Sequence, residues 1–133
     1  MSNREKHTTL IKSLASSTGF DYCGIAKSQL LYEDARRLET WLSKGMHGSM
    51  KYMENYFDLR IDPSRLVPGA RSVITLLLNY FPAAQQSADS PKISKYAFGN
   101  DYHEVIRTKL KLLLQQIKEQ VGQVHGRGFV DSA

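Results

Sequence analysis

The twelve residues Lys92 to His103, KISKYAFGNDYH, constrain the chain more than any other stretch. The first five positions, which carry Lys and apolar side chains, read as a strand. Gly99 interrupts the run, and glycine is the residue that reaches positive φ cheaply. Asn100 and Asp101 are turn and helix-cap residues, and Glu104 stands three positions after Asp101, the spacing of a capping box. A strand, a glycine break and a helix start therefore follow one another with basic and aromatic tips. Such a unit is either a plain strand-to-helix turn or a place where a ligand, often an anionic one, is held.

The elements around it follow from periodicity. A long amphipathic helix is expected from Asp101 to about Val121, with Ile106, Leu110, Leu113, Ile117 and Val121 on the buried face. Arg107, Lys111, Gln115 and Lys118 mark its wet face. Arg4 to Thr18 reads as a first helix carrying Leu10, Ile11 and Leu14, closed by Gly19. Phe20 to Ala26 reads as a short strand in which Cys23 is a buried, inert thiol. A second amphipathic helix runs from Ser28 to Lys44 through Leu31, Ala35, Leu38, Trp41 and Leu42. GMHGSMKYMENYF, residues 45–57, reads as adaptable core packing or as the plastic wall of a large-ligand pocket, with His47 a candidate ligand contact. Two prolines and a glycine make 58–70 a connector. The apolar run SVITLLLN within 71–80 is expected in the middle of a sheet, because it is apolar on both faces. AAQQSADSP, residues 83–91, is an exposed and mobile loop. Phe129 and Val130 read as the start of a last strand, with Asp131 and Ser132 at its outer end. A domain rarely stops inside an element, so the chain is expected to be an N-terminal fragment of a longer protein.

The expected fold class is therefore α+β, a mixed sheet of about four strands with helices packed on it. The whole chain, 133 residues, is one domain's worth. No apolar run reaches the roughly eighteen residues of a membrane helix, and no signal peptide is visible at the N-terminus, so no membrane partner and a cytoplasmic location are expected. The net charge of +5 favours an anionic partner, nucleic acid or a phosphate-bearing cofactor. The single Cys excludes an internal disulfide and any iron–sulfur cluster held by this chain alone.

Four strings occur in one order: GMHGSMKYM (45–53), RIDPSRLVPGARSVI (60–74), KISKYAFGNDYH (92–103) and GFVDSA (128–133). On these the chain resembles the N-terminal, cobalamin-binding domain of the epoxyqueuosine reductases, and the resemblance covers nearly all of it. That family reduces epoxyqueuosine in tRNA to queuosine, the epoxide oxygen leaving as water. Electrons come from two [4Fe–4S] clusters, held in a ferredoxin-like domain after this one, by way of cobalamin. A helical-repeat domain usually follows. The resemblance implies a cobalamin-domain fold distantly like nitroreductase-type flavoproteins, tRNA as partner, and a fragment that is inactive alone. It implies cobalamin contacts at Tyr96, Ala97, Phe98, Gly99, Asp101, Tyr102, His103 and Ser132, with Ala97 near the cobalt face and no protein ligand to the metal. It makes Asp131 the candidate catalytic acid, because the oxygen is a poor leaving group that needs a proton. A carboxylic acid gives one up near neutral pH only if burial favours its protonated form. Lys92, Lys95 and Arg107 are candidates for tRNA or cofactor phosphate. Two readings from other classes remain beside it: a corrinoid or flavin reductase of a small molecule, and a non-catalytic RNA-binding domain. The site reading requires the 96–99 backbone and the Asp131 carboxyl to face one cavity.

Overall fold

The computed structural model describes residues 2–131. Five α-helices and two strands are present among them: α1 (Asn3–Ser17), β1 (Tyr22–Lys27), α2 (Tyr32–Ser43), α3 (Phe57–Ile61), α4 (Pro63–Leu66), β2 (Ser72–Leu77) and α5 (Tyr102–Val121). Short 3₁₀ turns cover Lys51–Glu54 and Lys95–Ala97. None of the described helices is long and apolar enough to cross a membrane.

The fold is α+β, but its sheet has two strands rather than four, β1 paired with β2. Asp21 N donates to Leu77 O at 2.9 Å and Ser28 N to Arg71 O at 3.0 Å, so the strands run antiparallel. The Asp21 carboxylate closes one end by accepting from Asn79 N at 2.6 Å. β2 is not a central strand. Among the described residues it has no second neighbour, and Val73, Ile74 and Leu77 stay exposed.

Two segments expected as strands are not. At 92–96 the backbone of Ile93 is satisfied locally, since its N–H donates to Gln86 Oε1 at 2.9 Å and its carbonyl accepts from Gln86 Nε2 at 2.8 Å. A side-chain amide thus replaces the neighbouring strand, and the chain turns into the 3₁₀ turn at Lys95–Ala97. The same bonds, with Lys92 Nζ donating to Ser87 O at 2.5 Å, tie down the loop expected to be mobile. Residues 128–130 are likewise irregular.

The molecule divides into two compact units, 2–24 with 75–131, and 25–74. In the first, α1 packs on α5. Its buried apolar side chains are Leu14, Ala15, Phe20, Cys23, Leu113 and Ile117. Burial pushes the Cys23 thiol up. Ser2 caps α1 with a capping box closed by Glu5. At the other end Gly19 turns at φ +92°, and Lys109 Nζ donates to Thr18 O at 2.8 Å, so a cation from α5 satisfies a carbonyl at the α1 C-terminus. A Cβ on Gly19 would lie 2.6 Å from that ammonium, which a flexible lysine can withdraw, so the turn needs glycine for its positive φ and any side chain there would displace the Lys109 contact.

In the second unit α2 begins at Tyr32 rather than Ser28, with Leu31 at the cap position and no side-chain cap. Leu31 N is held instead by Ile61 O at 2.9 Å. Asp62 caps α4 through Ser64 N, with Pro63 in the first turn, as a proline at a helix start should be. The 45–57 stretch is not core packing here. Met46, Met50, Tyr52 and Tyr56 are exposed, while His47 is the buried member, with Nε2 2.8 Å from Glu54 Oε1.

Candidate active site

The start of α5 builds the site. Gly99 turns at φ +78°, which frees the backbone to enter the cap. Asp101 Oδ1 then accepts from His103 N at 2.9 Å and lies 2.8 Å from His103 Nδ1. The backbone N–H of His103, helped by its ring, holds the Asp101 carboxyl below the usual carboxylate range. The expected capping box is not closed, because Glu104 Oε1 accepts from Arg107 Nη1 at 3.0 Å instead.

This cap aims two aromatic side chains at one carboxylate. Tyr102 and His103 stack at 4.0 Å between ring centroids, and Tyr96 meets Tyr102 edge-on at 6.0 Å. The Tyr102 hydroxyl donates to Asp131 Oδ2 at 2.7 Å, and His103 Nε2 lies 3.3 Å from Asp131 Oδ1. Asp101, Tyr102, His103 and Asp131, separated by up to thirty positions in the chain, are therefore one polar array with Tyr96 on its edge. His103 Nδ1 faces Asp101 Oδ1 and its Nε2 lies near Asp131 Oδ1, while the Tyr102 hydroxyl donates to Oδ2, so Oδ1 is the Asp131 oxygen without a described hydrogen bond. The Asp131 side chain is 65% exposed. The burial that a general acid calls for is thus not supplied by the described residues.

The hydrogen bond to Asp131 pushes the Tyr102 phenol up, since ionisation would break it and set two anions side by side. Asp131→Ala should lower the Tyr102 midpoint toward the ordinary tyrosine value of about 10. Phenolate absorbance at 295 nm across an alkaline titration reads this, with Tyr102→Phe identifying which of the seven tyrosines moves. An unshifted midpoint would mean that the bond does not form in solution.

The remaining expected residues lie close by. Ala97 ends the 3₁₀ turn, donating its N–H to Ser94 O at 3.0 Å, and is exposed. Phe98 borders a cavity of about 230 Å³ between the 81–86 loop and Lys92 and Lys95. Asp131 does not line that cavity. The link from 96–99 to Asp131 runs along the Tyr96–Tyr102 ring edge instead. Lys95 sits 3.7 Å over the Phe81 ring, and Lys92 is committed to Ser87 O, so both ammonium groups already have partners. Arg107 pairs with Glu104. Ser132 lies outside the described residues. Sequence reasoning missed Phe81 and Gln86 as walls of this cavity, because a polar loop with one aromatic carries no periodic signal.

Comparison with known proteins gives consistent matches. Residues 60–132 match the family model described as "Epoxyqueuosine reductase QueG, DUF1730". Over its full length the chain is 55% identical to a curated epoxyqueuosine reductase of Cyclobacterium marinum and 56% identical to one of Cellulophaga algicola. In each case it spans 44% of the relative. The epoxyqueuosine reductase of Escherichia coli is 37% identical over 92% of this chain and 34% of its own length. No solved structure matches the chain.

Proposed function

The chain belongs to the epoxyqueuosine reductase family, and on that premise we propose that it is the cobalamin-holding part of an enzyme that reduces epoxyqueuosine in tRNA to queuosine. The observation that carries the reading is the Tyr96–Tyr102–His103–Asp131 array. It lies wholly within the residues that the family model matches.

The residues present fit a large, flat, amide-fringed ligand. Tyr96 offers a half-exposed ring, 53% accessible. At Gly99 no heavy atom lies within 4 Å of where a Cβ would stand, so the backbone there is open to close approach. Tyr96, Ala97, Phe98 and Gly99 would hold the ring system, and Asp101, Tyr102, His103 and Ser132 would meet its polar edge. The [4Fe–4S] clusters do not fit this chain, which has one Cys, and belong to another part of the protein.

When bound, cobalamin supplies the electrons of the reduction. The contribution of this chain is one proton. Loss of the epoxide oxygen as water consumes two electrons and two protons: Asp131 Oδ1 would give one to that oxygen, and solvent the other. Tyr102 fixes the carboxyl through Oδ2, and His103 Nε2 restores the proton on Oδ1 between turnovers. A flat ligand over Tyr96 excludes water from the same surface, and desolvation favours the protonated acid.

Mixing the protein with hydroxocobalamin tests this. Colour should co-elute with protein on gel filtration, and the visible spectrum should shift. Gly99→Val, which forces a β-branched residue to positive φ, should weaken retention, while Asp131→Ala should retain the cofactor. Absence of retained colour in the parent protein overturns the reading.

A further inference from the structure

One face of α2 has no part in the site above. Glu33, Arg36, Arg37, Thr40 and Lys44 recur at three- and four-residue spacing, so they share one side of the helix. With Trp41 and Met46 they line an open groove of about 370 Å³ in the 25–74 unit. The opposite side carries Ala35, Leu38 and Leu42, which are half-buried. The groove thus combines three cations with one aromatic floor.

The floor is held from behind. The His47 ring lies 5.7 Å from Trp41, tilted by 52°. His47 is itself buried and fixed by its contact with Glu54. This gives the 45–57 stretch a use that its exposed methionines do not explain. It packs against the half-buried indole that lines the groove. The cations are differently disposed. Arg37 is 75% exposed and steadied by Asp34 at 3.2 Å, whereas Arg36 and Lys44 take part in none of the described ion pairs. Glu33, at one end, is the only acidic side chain in the lining.

We propose that this groove is a single-stranded RNA contact, with a base stacked on Trp41 and phosphates met by Arg36, Arg37 and Lys44. Stacking on an aromatic floor beside backbone-tracking cations is how single strands are held without reading their sequence. The net charge of +5 supplies attraction at longer range. An acidic peptide would satisfy the cations but has no flat partner for the indole. The identity of the RNA as tRNA rests on the proposed function; the groove as a stacking site does not.

Trp41 is the chain's one tryptophan, so its fluorescence reports this groove alone. Excited at 295 nm at low salt, it should be quenched by an oligouridine and by an anticodon stem–loop RNA. Quenching should saturate. With three phosphate contacts, the usual single-strand salt slope gives roughly 20-fold weaker binding between 50 and 200 mM salt. The triple variant Arg36→Gln/Arg37→Gln/Lys44→Gln, all on an exposed face, should bind at least about tenfold more weakly. Three results would overturn the proposal: no quenching at 50 mM salt, unchanged quenching in the triple variant, or equal quenching by polyglutamate. The triple variant should retain hydroxocobalamin as the parent does. Loss of cobalamin binding with intact quenching therefore strikes the proposed function, and the converse strikes the groove.

Discussion

Asp131→Asn should lower epoxide reduction by about 10²- to 10⁴-fold in a full-length protein that contains this chain, loaded with its cofactors. The range corresponds to about 3–5 kcal/mol of transition-state stabilisation. Asparagine keeps the shape of the side chain, and its Oδ1 still accepts the Tyr102 hydroxyl that now lies 2.7 Å from the carboxylate. What it cannot do is pass a proton to the departing oxygen. The loss should therefore fall on single-turnover chemistry rather than on affinity for RNA, and mass analysis of the tRNA nucleosides reads it as a failure to lose one oxygen. Tyr102→Phe removes a hydrogen bond that orients the acid but not the acid itself, so a smaller loss, about tenfold, is expected. A variant Asp131→Asn that kept more than a tenth of parent activity would remove the acid role.

The array behind that prediction was only partly legible in the sequence. Gly99 and Asp101 announce a positive-φ turn and a helix cap, and both are there, at φ +78° and with Asp101 accepting from His103 N. The 3.6 period likewise marks the buried face of α5, where Leu113 and Ile117 are buried and Ile106 and Leu110 half-buried. The approach of Asp131 to Tyr102 and His103 could not be read, because nothing in local spacing ties a position to one about thirty residues earlier. Two expected strands, at 92–96 and 129–130, are absent because side-chain type says which residues could pair, not whether a partner strand exists. Gln86 took the Ile93 backbone first. β2 fails differently. Its composition demands cover on both faces, yet Leu77 is 56% exposed. Since the chain spans 44% of its relatives, composition here records a demand that these residues do not meet by themselves.

Leu113→Ala should cost about 2–5 kcal/mol of stability, against the roughly 5–15 kcal/mol that a domain commonly has. The argument rests on how little is buried. Only six apolar side chains are buried among the described residues, and Leu113, 3% exposed, and Ile117, 5% exposed, are the ones that α5 contributes. Truncating Leu113 leaves a cavity on the helix that packs against α1, where Leu14 and Ala15 are buried. Lys109 Nζ, bonded to Thr18 O, ties α5 to the end of α1 and opposes collapse of the gap. The neighbouring position is the control. Leu112 is 47% exposed, and Leu112→Ala should change stability by less than about 0.5 kcal/mol. Urea unfolding followed by circular dichroism gives both values. A large loss at Leu112 with a small one at Leu113 would mean that α5 meets α1 through a face rotated by one residue. The Tyr102–Asp131 geometry, which depends on the same helix orientation, would then fail with it.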